Sequence, residues 1–85
     1  MSEMDRKEDM DKVERGNFDP PPTYFTHETT QDTPYYLNTP LNPYDGIFPN
    51  GTKLLMYLET GDNYPYVVSG EGIFAAVQRA SLRRL

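Results

Sequence analysis

His27 is the only histidine in the chain. It stands in the proline-containing stretch "NFDPPPTYFTHETTQDT" (Asn17 to Thr33), with no second histidine and no cysteine beside it. A lone imidazole in a solvated segment supplies neither a metal ligand set nor a base paired with a nucleophile. Carboxylate pairs such as Glu8-Asp9 lie in a segment without the apolar residues needed to build a pocket and raise a pKa. Ser2, Ser69 and Ser81 carry no local nucleophile motif. Gly70-Glu71-Gly72 reads as a hairpin turn, because the lysine and helix that a phosphate loop requires do not follow it. The absence of cysteine removes disulfides, zinc–thiolate sites and thiol nucleophiles. Asn50-Gly51-Thr52 fits a glycosylation acceptor, but it also makes a tight turn, and the turn is the expectation without an apolar leader. The expected protein is not an enzyme and uses no cofactor and no metal.

The tyrosines carry more information. There are 7 in 85 residues, too many to bury in one small unit. Tyrosine offers stiff contact area with a polar tip, which suits an interface. Tyr35, Tyr44, Tyr64 and Tyr66 are the expected partner-binding set. The competing assignment for Tyr36, Tyr57 and Tyr66 is the filling of the core or of strand faces. Pro21-Pro22-Thr23-Tyr24 fits the Pro-Pro-x-Tyr pattern recognised by aromatic grooves of the WW type, and Pro21, Pro22 and Tyr24 join the candidate set. A stiff linker is the plainer account of the same residues. Net charge is -5 and pI about 4.6, which argues against a polyanionic partner such as nucleic acid. Arg79, Arg83 and Arg84 cluster near the end but are too few for a phosphate track. No apolar run approaches the roughly 20 residues of a membrane span. The first residues, "MSEMDRKEDMDKVERG", are charged where a leader would be apolar. The expectation is a soluble cytoplasmic protein, or a virion protein if the source is viral.

These residues must be positioned by a chain of one small domain and a tail. Met1 to Gly16 alternates acids with bases and has only Met1, Met4, Met10 and Val13 as apolar anchors. Opposite charges at Glu8–Lys12 and Asp11–Arg15 favour a fraying helix that Gly16-Asn17 would end. Pro20-Pro21-Pro22 favours an extended arm. Residues 1–33 are therefore expected as an arm, disordered or extended when alone, and residues 34–85 as the folded unit.

In that unit, "PYYLN" (Pro34 to Asn38) predicts a first strand and "TPLNPYDG" (Thr39 to Gly46) a long loop. "KLLMYLE" (Lys53 to Glu59) alternates, with Leu54, Met56 and Leu58 on one face and Leu55 and Tyr57 on the other. Gly61 is the expected positive-φ position in the turn that follows. "YPYVVS" (Tyr64 to Ser69) returns, with Pro65 placing it near a sheet edge. "IFAAVQ" (Ile73 to Gln78) predicts a third strand, with "RASL" as a short turn and "RRL" returning to pair with the first strand. Ile73, Val77 and Ala80 also fall at helical spacing, so a terminal amphipathic helix is the rival for this segment.

The run "FPNGTKLLMYLETGD" (Phe48 to Asp62) resembles the centre of bacterial SH3-like domains, where a proline and a Gly-Thr-Lys-type turn lead into a strand ending in Gly-Asp. "GIFAAVQRASL" (Gly72 to Leu82) is similar to the family's closing pattern, with Gly72, Val77 and Leu82 on matching positions, and Leu37-Asn38 resembles its opening dipeptide. The pattern departs at Ala76, where the family has Trp or Tyr, and at Asn63, which separates Gly-Asp from the next aromatic. The resemblance spans about residues 34–85. It implies an all-β fold, a small SH3-like β-barrel of five strands with a 3-10 turn before the last, and binding of peptides or partner proteins.

The expected function is a non-enzymatic protein–protein interaction module that binds a protein or peptide through surface tyrosines and the acidic N-terminal arm. The alternative is a structural component of a larger assembly or homo-oligomer, such as a phage virion, with the arm threading along neighbouring subunits. A regulatory or inhibitory subunit is a third.

Overall fold

The computed structural model describes residues 18–37 and 43–85. The expected helical tendency of Met1–Gly16 and the centre of the loop after Leu37 lie outside the described residues.

The chain is all-β. Its elements are β1 (His27–Thr29), β2 (Thr33–Tyr36), β3 (Gly46–Phe48), β4 (Lys53–Leu58), β5 (Tyr66–Ser69), β6 (Phe74–Val77), a 3-10 turn (Arg79–Ser81) and β7 (Leu82–Arg84). They form one curled antiparallel half-barrel in the order β3-β2-β6-β5-β4-β1-β7. The single 3-10 turn before the last strand is as expected. The strand number is not: seven short strands stand where the resemblance implied five.

The segment from Phe74 to Val77 is a strand with every residue buried. A helix would bury only one stripe of it. As an inner strand it pairs with β5 on one side and β2 on the other, and those ladder bonds override the helix propensity of Ala75 and Ala76. Gly72 opens it at φ +86, a conformation that glycine adopts without steric cost. Among the described residues the other positive-φ glycine is Gly51; Gly61, the expected one, is not among them.

The expected boundary between Thr33 and Pro34 does not delimit the sheet. Residues of the arm form β1, which pairs with β4 and with β7, so the last strand returns to His27–Thr29 and not to the strand at Pro34. "HET" gives no apolar signal because Thr29 is buried through hydrogen bonds. Its hydroxyl donates to the Pro49 carbonyl at 2.8 Å and accepts the Thr52 N–H at 2.9 Å. Pro65 does not mark an edge either. It lies just before β5, which is an inner strand, and its carbonyl accepts the Val77 N–H at 3.1 Å.

The core fills the concave side. Phe48, Leu54, Val67 and Val77 are buried there, with Tyr35, Met56, Ile73 and Leu82 packed around them. The register is consistent: Met56, Val67 and Ala75 lie opposite one another across β4, β5 and β6, and directly opposed residues share a face.

Candidate functional site

The outer face of the same strands carries a belt of aromatic side chains. Leu55, Val68 and Phe74 form one cross-strand row, and Leu58, Tyr66, Ala76 and Tyr36 form the next. Small Ala76 lies between two tyrosines and is fully covered. Phe74 is the hub. Its ring centroid lies 5.0 Å from Tyr57 in a T-shaped pair and 5.4 Å from Tyr66. Tyr64 meets Tyr36 edge to face at 6.1 Å.

An irregularity between Met56 and Leu58 shapes this belt. Strict alternation would send Tyr57 and Leu58 to opposite faces. A β-bulge sets two residues against one on the partner strand and breaks the alternation. Leu58 then stands opposite Tyr66 while Tyr57 packs on Phe74. Both keep about half their surface in solvent, Tyr57 49% and Leu58 48%.

The arm covers the rest of this face. The Phe18 N–H donates to the Gly72 carbonyl at 2.6 Å, and the Phe18 ring meets Tyr57 at 5.2 Å and Phe74 at 5.9 Å. Any Cβ at Gly72 would come within 2.6 Å of the Phe18 carbonyl oxygen, so glycine is required by contact as well as by φ. A second ring, Phe25, lies against Gly70. The two phenyl groups thus pin the arm at both sides of the Gly70–Gly72 turn, and residues 19–24 bridge between them. Tyr24 on that bridge is 65% exposed, Pro21 is exposed and Pro22 half-buried.

The candidate residues therefore separate. Tyr64 and Tyr66 join the belt. Pro21, Pro22 and Tyr24 stand together on the bridge. Tyr44 is 54% exposed. Tyr35 is turned the other way: its ring lies 4.5 Å from Phe48 and over Gly46, packed against the core. Tyr36, Tyr57, Leu58, Phe18 and Phe74 belong to the belt and were not in the expected set. Leu55 and Tyr57 opposite Leu54 was the one available signal. The bulge has none in the sequence.

Several described titratable groups are engaged in ion pairs and turn hydrogen bonds. The Glu28 carboxylate takes both Lys53 and Arg83, and Arg79 pairs with Glu59 and donates to the Thr60 carbonyl. The Thr26 hydroxyl accepts the Met56 N–H and lies 2.8 Å from His27 Nδ1. Burial, and next the Arg84 guanidinium, push the His27 imidazole below its ordinary pKa, with Glu59 acting the other way. Asp62 is held low by the Thr60 hydroxyl and the Tyr64 N–H, which it accepts in a turn. The hydroxyls of Ser69 and Ser81 accept hydrogen bonds from turn amides and from Gln31 respectively. Among the described residues no group of three His, Cys, Asp or Glu side chains is placed to hold a metal ion, and no helix is long and apolar enough to cross a membrane. No protein-family model, curated protein or solved structure matches this chain.

Proposed function

We propose that this chain is a non-enzymatic interaction module that binds a partner protein through the outer aromatic belt. The observation that carries this is the pair Tyr57 and Leu58, half-exposed side by side on a face whose other members are packed. Stiff aromatic surface that loses little conformational freedom on contact is the usual anchor of an interface. Tyr36, Tyr64 and Tyr66 extend the anchor. The Pro21–Tyr24 bridge is a second contact, held out by Phe18 and Phe25. The curled sheet, the 3-10 turn and the Gly72 hairpin support kinship with bacterial SH3-like domains, which is part of the same reading.

The test is affinity capture and cross-linking with the full chain beside Leu58→Asp. The partner should be lost with the variant while circular dichroism stays unchanged. Equal capture by both proteins would remove the belt from the interface.

A second reading, a structural component of a larger assembly, is favoured by the open half-barrel. Its outermost strands, β3 and β7, each have one side without a strand partner among the described residues.

A further inference from the structure

The two edges of the sheet are guarded differently. β7 carries Arg83 and Arg84, and charge on an edge strand opposes pairing with other chains. β3 is Gly46-Ile47-Phe48, with no charge and no proline, and Ile47 is 48% exposed. Beside it opens a cleft of about 320 Å³, whose walls include Tyr35, Ile47, Phe48, Ser69, Glu71 and Ile73. Glu71 is the one carboxylate in that lining, and no cation is present there. Asp45 immediately precedes β3 and accepts the Leu37 N–H at 2.8 Å on the β2 side, and Asp32 holds the Asn50 N–H just beyond the strand. The described cations lie elsewhere: Lys53 and Arg83 on Glu28, Arg79 on Glu59, and Arg84 in register with His27.

We propose that the β3 edge is a second binding site, independent of the aromatic belt, which takes an extended peptide segment of a partner as an added strand. Backbone pairing to Gly46–Phe48 holds the segment. One apolar side chain enters the cleft, and a Lys or Arg two residues away, on the same face, meets Glu71 in its wall. The charge pattern selects this occupant. A second copy presenting the same edge would offer Gly46-Ile47-Phe48, which has no cation to meet Glu71. The chain's first sixteen residues carry six acids against four bases, a net charge that opposes their seating beside Glu71 although Val13-Glu14-Arg15 has the spacing.

The experiment is an amide-resolved NMR titration of the full chain with the capped peptide Thr-Ile-Thr-Val-Thr-Lys-Thr. Shifts are expected at Gly46, Ile47, Phe48 and Gly70 to Ile73. Replacing the peptide lysine by glutamate should weaken binding about fivefold, the worth of one exposed ion pair. Methylating alternate backbone nitrogens should weaken it about tenfold or more through lost ladder bonds. Glu71→Lys should reverse the preference between the lysine and glutamate peptides. Leu58→Asp should leave this titration unchanged, which separates it from the belt. The proposal is overturned by the absence of shifts at Gly46–Phe48 with millimolar peptide, by shifts centred on Tyr57 and Tyr66, or by equal binding of the methylated peptide. It is overturned equally if the full chain sediments as a dimer that Ile47→Lys dissolves, which assigns the edge to a second copy.

Discussion

On the inner face of the central strands Leu54, Val67 and Val77 have no exposed surface, while on the outer face Tyr57 and Leu58 keep about half of theirs. The strands are the same and the residues are comparably apolar. The difference lies in what covers them. The inner face is enclosed by the curl of its own sheet, with Phe48, Tyr35, Ile73 and Leu82 converging on it. The outer face is covered by two phenyl rings from the arm and by its own aromatic side chains, which bury Val68, Phe74 and Ala76 but leave Tyr57 and Leu58 open. In a protein this small, a sheet that curls completes one interior and leaves its other side to be covered by a tail, by a partner or by water.

The comparison can be broken most severely from the inside. Leu54→Ala opens a cavity on the closed face and should cost about 2–5 kcal/mol, read as a fall in the denaturant midpoint. For a marginal domain that is enough to unfold much of the population. An unchanged midpoint would mean that the concave core is not the main source of stability.

The next two changes act where the arm meets the outer face. Gly72→Ala forces a positive φ on alanine and pushes on the Phe18 carbonyl oxygen, so about 1–2 kcal/mol should be lost. Hydrogen exchange at the Phe18 amide, which bonds Gly72, should accelerate together with the loss. Phe18→Ala removes the ring from Tyr57 and Phe74 and should cost about 1–2 kcal/mol. It should also enlarge the apolar surface of the belt, seen as increased dye binding. If Phe18→Ala leaves both stability and dye binding unaltered, the arm is not a cover.

A smaller effect is expected where the face is already open. Leu58→Asp should shift stability by less than about 1 kcal/mol while weakening partner capture about tenfold or more.

The smallest effect concerns pH. His27 has a folded-state pKa below its ordinary 6.5, chiefly because of burial. As pH falls through about 6.5 the unfolded chain takes up the proton first, so stability is lost on acidification and is complete above that range. His27→Gln should flatten the midpoint between pH 7.5 and 5.5. A variant that retains the full slope would place the titration elsewhere.

Much of the strand pattern was legible because it is local. Lys53 to Leu58 and Tyr66 to Ser69 alternate or run apolar between turn residues, and the Gly70–Gly72 hairpin shows in its glycines. The candidate surface was legible only in part. Tyr64 and Tyr66 were expected in it, but Tyr35 and Tyr36 are adjacent and identical in type. Only pairing with Gly46 and Val77 sends Tyr35 to the core, and only register with Ala76 puts Tyr36 in the belt. β1 was missed because a threonine buried by hydrogen bonds carries no apolar signature.

Composition and short-range order thus determined the strands Lys53 to Leu58 and Tyr66 to Ser69, the lack of residue sets for thiol or metal–thiolate chemistry, and an excess of tyrosine over what the interior can take. Tertiary structure alone decided which tyrosines remain outside, which strand the C-terminus joins and where the arm is held. Alternation and turn formation depend on neighbours within a few residues. Cross-strand register, the bulge at Tyr57 and the seating of Phe18 on Gly72 depend on contacts between segments up to 57 residues apart, which no local pattern encodes.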